Sequence, residues 1–294
     1  MSFKPNRVNA PCPALPGVGL LAVEGRDAAA FLQSQSMNDV AALDDGRWHW
    51  NGLLTPKGRV IFLFALLRTG PESFLLVSPD ADAAEVKAHL QRFLFRSKLV
   101  LRDDAGLAAA AGPFAQTDDV SRIIRADDGA LALDVSGEGG QRTLWLLPAG
   151  HPSLAAADPA TTAAWRLADL AHGLPRLSPG QREAWTPQML SLERLGAFSL
   201  KKGCYPGQEI VARTHYLGQA KRTLQRLAGT GTLAESTPVL GDGGRELGRL
   251  VCVADAGDGR VEALAVLPAE LPAEETLVAS TPLSRLPLLG GLAR

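Results

Sequence analysis

At 294 residues, with 46% hydrophobic and 21% charged side chains, the chain has the make-up of a globular protein long enough for two or three domains. A formal net charge of −1 excludes a global field that would gather nucleic acid or an anionic membrane, while leaving room for a local basic patch. No run of 18 apolar residues exists to span a membrane, and the start MSFKPNRVNAPCPALPGVG has neither an apolar signal core nor an amphipathic transit pattern.

In chain order, VGLLAVE (18–24) predicts a buried strand, and GRDAAAFLQSQSMNDV a turn into a helix with Asp27 as N-cap and Phe31 and Leu32 inward. GRVIFLFALLR (58–68) is a long apolar strand that TGPES turns into FLLVS. PDADAAEVKAHLQRFLF (79–95) follows as an amphipathic helix starting at Pro79 and Asp80, then KLVLRD as a strand. Short strands with glycine turns at Asp128-Gly129 and Gly139-Gly140 fill 106–147, a connector follows, and TTAAWRLADLAHGLP (161–175) is a helix closed by Gly173 and Pro175. Beyond residue 220, RTLQRLAG, GRELGRLVCVAD, GRVEALAVLP and ETLVAST are evenly spaced strands between Gly, Asp and Pro turns. They predict a small C-terminal β-barrel or sandwich, domain 220–294, after an α+β region over 1–219.

Several chemistries find no support. Gly241-Asp242-Gly243-Gly244 lacks the dinucleotide-binding spacing, and GAFSLKKGC lacks the glycine and hydroxyl of a phosphate loop. The five histidines show no zinc spacing, and three scattered cysteines (Cys12, Cys204, Cys252) are too few for a resident iron–sulfur cluster, so no metal is expected. Their odd number and wide spacing suit a reducing compartment, and the cytoplasm is the expected location.

FSLKKGCYPGQEIVART (198–214) is the stretch that carries chemistry. Pro206-Gly207 favours a turn, and GQEIVART continues as a helix with Ile210 and Val211 inward. Cys204 then lies just ahead of a helix N-terminus, near Lys201 and Lys202, where positive charge favours thiolate over thiol. Gln208 and Glu209 can cap the turn or meet a partner. The same residues also read as an inert thiol in a glycine loop beside a solvated lysine edge, or as a Cys204–His215 pair.

KKGCYPGQEIVAR resembles the YgfZ family of folate-binding proteins, relatives of the glycine-cleavage T-protein. The family's K-G-C-Y-x-G-Q-E signature is matched by Lys202, Gly203, Cys204, Tyr205, Gly207, Gln208 and Glu209, and Arg213 fits its continuation. FLQSQSMNDV (31–40), with Asn38 and Asp39 in register and Met37 replacing Thr, LTPKGRV (54–60), FRSKLVL (95–101) and TPQMLSLERLGAFSLKKG extend the likeness over most of the chain. Ser191 stands at an Asn position. The resemblance implies two intertwined α+β lobes in a clover arrangement around a central folate cavity, with a C-terminal β-barrel. It implies tetrahydrofolate or a folate derivative as cofactor. It also implies a part in making or maintaining iron–sulfur enzymes, including those that thiolate tRNA, with Cys204 as the functional thiol. Trp165 matches a tryptophan linked to folate, and Val18 occupies the place of a second one. Gly203, Gly207, Asn38 and Trp50 are further candidates for the folate site. Arg96 and Lys98 are candidates for a folate's glutamate tail or a plain strand edge. Folate and iron–sulfur clients are the expected partners of a monomer. Direct RNA contact through Trp48-His49-Trp50 is the weaker reading, since such a cluster more often lines a core or cavity. The alternative activity, aminomethyl transfer of the T-protein type, implies an acid on the strand after the first hairpin. GRVIFLF offers only Ile61, Phe62 and Leu63 there.

Overall fold

The computed structural model describes Val8 and residues 10–103, 106–218 and 220–294. Residues 1–7 and 9, over which the leader reading runs, and Gln219, at the expected domain boundary, lie outside the described residues. The chain begins with β1 (Cys12–Pro13), then builds β2 (Gly19–Glu24), α1 (Ala28–Gln35), β3 (Trp48–Leu54), β4 (Val60–Gly70), β5 (Ser73–Ser78), α2 (Ala83–Gln91) and β6 (Val100–Arg102). These strands pair antiparallel in the order β3-β4-β5-β2-β6. The apolar run of β4 is buried from Val60 to Leu67 because both of its faces are covered. Phe62, Phe64 and Leu66 pack with Phe31 and Leu32 of α1 and Val86 and Leu90 of α2. Leu63, Ala65 and Leu67 face the second lobe.

That lobe is an antiparallel sheet of β7 (Leu107–Gly112), β8 (Ile124–Arg125), β9 (Leu131–Asp134) and β10 (Thr143–Pro148), ordered β7-β10-β9-β8. β11 (Leu154–Ala155) runs parallel to β1, and Ala14 bridges to Ala110. The N-terminal segment is therefore tied into the second lobe before the chain builds the first, which is how the lobes intertwine. α3 (Pro159–Ala171) starts at Asp158, whose carboxylate accepts from the Thr161 amide at 2.7 Å, and it closes at Gly173 with φ +69°.

After α4 (Gln208–Leu217) come β12 (Arg222–Thr230), β13 (Pro238–Leu240), β14 (Glu246–Gly257), β15 (Arg260–Pro268), β16 (Leu277–Ala279) and β17 (Thr281–Leu286). They close a six-stranded barrel, β12-β15-β14-β13-β16-β17, around Leu227, Val239, Leu250, Ala265 and Leu277. The chain end then returns to the lobes, where the Trp50 indole N–H donates to Leu292 O at 2.8 Å.

Three local readings change. α2 starts at Ala83, not at Pro79: Asp82 and Glu85 form a reciprocal capping box, while the carboxylate of Asp80 is taken by Arg176. Asp27 precedes α1, but its carboxylate accepts from the Lys98 amide at 2.7 Å instead of capping the helix. The barrel also has two strands that the turn spacing does not announce. β13 opens on Pro238 and β17 carries Pro282, and proline removes the ladder donor that marks a strand.

Candidate functional site

The signature loop turns some side chains inward and others outward. Lys202 and Tyr205 are buried, while Gly203 and Cys204 face solvent. The Lys202 ammonium donates to three carbonyl oxygens, of Gln33 at 2.6 Å, Ser36 at 2.6 Å and Asn38 at 3.0 Å. These carbonyls end α1 and its following turn, where helix oxygens are left unpaired and a cation sits at the negative end of the dipole. Burial pulls the ammonium down to about 8, with the Asp39 carboxylate opposing that shift. The Tyr205 ring lies 4.9 Å from Lys202 Nζ, its hydroxyl reaches Ser199 O at 3.4 Å, and burial pushes the phenol up to about 12. Lys202 is therefore committed to α1, and the expectation that its charge attends Cys204 gives way to a bracing role.

A second brace fixes the start of α4. Gly207 is its N-cap with φ +80°, and a Cβ there would stand 2.5 Å from Thr55 O and 2.7 Å from Gly58 Cα. Gly58, at φ +69°, belongs to the LTPKGRV turn, so two segments far apart in sequence touch through glycine backbones. Gln208 closes the loop by donating to Lys202 O at 3.0 Å. Gly203, in contrast, has nothing within 4 Å of the place a Cβ would take. Gly207→Ala is expected to cost about 2–3 kcal/mol, read from the midpoint of urea unfolding, whereas Gly203→Ala should leave that midpoint unchanged. Glu209 and Arg213, four apart on α4, are exposed and make no ion pair or side-chain hydrogen bond among the described residues.

Asn38 ties these parts together. Its amide donates to Trp50 O at 2.8 Å and to Gly196 O at 2.7 Å, and its backbone N–H donates to Asn51 Oδ1. His49 lies buried beside Asn51, and burial pulls its imidazole down to about 4, which keeps it neutral. Ser191 has left-handed backbone, φ +50°, a conformation Asn adopts more readily, and its hydroxyl accepts from the first barrel strand at Leu224 N, 3.1 Å.

A separate small cavity lies between the two sheets and α3. Val18, Trp50, Leu133, Leu144 and Trp165 wall it, and Asp169 and Arg176 supply its polar edge. Its volume is about 30 Å³, room for a water or two. Asp169 is buried between two guanidiniums, Arg142 Nη1 at 2.9 Å and Arg176 Nη1 at 3.0 Å. Arg176 continues to Asp80 at 2.8 Å and to Pro79 O at 2.7 Å. The Arg142 guanidinium lies 4.9 Å from the Trp165 ring centre, and its Nε and Nη2 are buried without a hydrogen-bond partner among the described residues. Sequence reasoning found Trp165 and missed this triad. The available signal was Asp169, four residues on from Trp165 and hence on the same helix face.

The structure thus brings Trp50, Trp165 and Val18 to one cavity. It gathers Lys202, Tyr205, Gly207, Gln208 and Asn38 into the frame around Cys204. Arg96 and Lys98 are exposed on the turn between α2 and β6, away from the cavity lining, because α2 ends at Gln91 and the turn lies on the outer side of the first lobe. Trp48 is fully buried edge-on to Trp50, at 5.4 Å between ring centres, and offers no stacking face to solvent. Cys12 and Cys252 are buried and unpaired. No group of three or more His, Cys, Asp or Glu able to hold a metal occurs among the described residues.

No protein-family model matches the chain. The tRNA-modifying protein YgfZ of Vibrio vulnificus strain YJ016 is 30% identical over 275 residues, covering 88% of this chain and 85% of that protein. The chain belongs to the YgfZ family. YgfZ of Pectobacterium carotovorum strain PC1 is likewise 30% identical over 285 residues, with 88% and 84% covered. Among solved structures, the glycine cleavage system aminomethyltransferase T of Bartonella henselae superposes with a TM-score of 0.70 over 96% of this chain and 86% of that one, at 18% identity. This YgfZ chain therefore has the T-protein fold, and no helix among its described residues is long and apolar enough to cross a membrane.

Proposed function

We propose that the protein is a folate-binding accessory factor for the assembly or maintenance of iron–sulfur enzymes, including those that thiolate tRNA, and that it acts through Cys204. The observation that carries this reading is the outward thiol on a loop braced from both sides, by Lys202 on α1 and by Gly207 on Gly58. A small soft nucleophile exposed to solvent suits contact with a client's cluster or sulfur. The three unpaired cysteines agree with a cytoplasmic setting.

Tetrahydrofolate is the proposed occupant of the central cavity. The lining suits a flat heteroaromatic ring in kind: two indoles, apolar walls, a carboxylate and the Arg176 guanidinium, while Arg142, outside the lining, stacks on Trp165 with Nε and Nη2 lacking acceptors among the described residues. At about 30 Å³ the space admits a ring only when a wall gives way, and Trp165, half-buried, is the wall nearest release. Arg142 and Asp169 would orient the ring, and Val18 leaves one side aliphatic. Aminomethyl transfer has less support, because β4 carries no carboxylate over Val60–Gly70.

Two measurements test the halves separately. Cys204→Ala, exposed and outside the core, should keep the wild-type Tm yet fail to restore a cluster-containing tRNA-thiolating enzyme in a deletion strain; full restoration sinks the thiol role. Tetrahydrofolate should bind saturably with a change in tryptophan fluorescence, and Trp165→Ala should weaken it by tenfold or more, about 1.4 kcal/mol. No saturable binding of any reduced folate would remove the folate half.

A further inference from the structure

A second, larger recess lies on the other side of the signature loop. It holds about 790 Å³ and runs between the 196–201 segment, the C-terminal half of α4 and the start of the barrel. Its walls are apolar where Phe198, Leu200, Ala220 and Ala269 meet. Its polar lining includes Asp39, Gln188 and Glu193 beside Lys201 and His215. Gln188, 7% exposed, donates through Nε2 to Val211 O at 2.8 Å, and its Oε1 is buried without a partner among the described residues. The bond to Val211 O requires the amide nitrogen on that side, so the carbonyl oxygen is the atom left over. Glu193 at the recess makes no salt bridge among the described residues; its carboxylate meets its own backbone N–H and the fields of Arg194 and His215. Asp39 adds a second carboxylate, of which Oδ1 is engaged by Gln33 and the Ala42 amide. Of the nearby cations, Arg194 donates to Leu289 O and Lys202 is held by its three carbonyls, which leaves Lys201 and His215 among the lining residues.

A buried acceptor left over, a carboxylate with no salt bridge and an apolar wall together complement an N–H-rich cation on an aliphatic stem. We propose that this groove binds a basic side chain, arginine or lysine, of a partner polypeptide. The stem lies on Phe198 and Leu200, and the charged head reaches Glu193 and the Gln188 carbonyl. The location favours a polypeptide over a free amine. The groove runs from Lys201, three residues before Cys204, along α4 past Val211, whose carbonyl Gln188 holds, to His215, so a partner lying along α4 meets both. That last step rests on the proposed role of Cys204; the cation site itself does not.

The test uses the full-length protein and capped hexapeptides differing at one central residue: arginine, lysine, or the neutral isosteres citrulline and norleucine. The arginine or lysine peptide should bind measurably in NMR titration and move the Gln188 side-chain amide resonance, and the neutral peptides should not. Glu193→Gln should weaken the cationic peptide roughly tenfold, the loss expected for one charge-assisted hydrogen bond, with an unchanged Tm. Cys204→Ala should leave peptide affinity as in the wild type, which separates failure of the groove from failure of the thiol's role. Equal binding of cationic and neutral peptides, or binding with the Gln188 amide unmoved, overturns the proposal. Binding of spermidine without binding of either cationic peptide overturns the polypeptide as occupant.

Discussion

Lys202→Met should lower the unfolding free energy by about 2–4 kcal/mol and abolish function in the deletion strain, although Cys204 is untouched. Methionine fills the volume but donates nothing, so the carbonyls of Gln33, Ser36 and Asn38 lose a shared donor. Each carbonyl deprived of its partner in a buried place costs about 1–3 kcal/mol, while removal of the buried ammonium returns part of that sum. Lys202→Arg should not rescue, because a planar fork cannot point three donors at a cage built for a tetrahedral head. The pH dependence has a defined sign. With its folded value at about 8, below the 10.5 of a free lysine, the unfolded chain binds more protons between those limits. Wild-type stability therefore gains a contribution as pH rises from 8 toward 10.5, and Lys202→Met lacks it. Denaturant melts of both proteins at pH 7 and pH 9.5 measure that difference. A variant that melts like the wild type and still restores function would show that the loop needs no brace.

The lysine illustrates what a linear reading can and cannot reach. Two lysines beside a cysteine look alike in KKGCY, and on the page both suggest charge near sulfur. Folding separates them, because the loop turns some side chains inward and only Lys202 points at the end of α1. The register that decides this is set by contacts across 164–169 residues, which no local pattern records. The same holds for α2, whose start reads as Pro79 and Asp80 in the sequence, whereas Arg176, 96 residues away, claims Asp80 and the helix starts after Asp82. Elements whose evidence is local came through well: the apolar run of β4, the helix closed by Gly173, the glycine turns of the second lobe, and four barrel strands. The two barrel strands bearing proline did not, since they are held by ladders on both sides and not by their own propensity. The signature window found the loop that matters; the sense of its side chains, in or out, had to come from the fold.

Asp169→Ala should be the most damaging change at the central cavity, at about 3–5 kcal/mol. The carboxylate is buried between two guanidiniums, and Arg142 has no second ion partner among the described residues, whereas Arg176 keeps Asp80. Removing Asp169 strands the Arg142 charge against the Trp165 face with three of its nitrogens lacking an anion. A second substitution, Arg142→Met, removes that stranded charge. The pair should therefore be less destabilising than the sum of the two single changes by about 1–3 kcal/mol, a coupling read from a double-mutant cycle of urea unfolding. The folate titration then gives the cycle a second axis. If the unpaired Nε and Nη2 of Arg142 are the groups that receive the ring, Arg142→Met alone should weaken tetrahydrofolate by tenfold or more. The double variant should bind no better, even as it regains stability relative to Asp169→Ala. Recovery of folate affinity together with stability would instead make the triad a packing device, and would leave the indoles of Trp50 and Trp165 to account for the ligand.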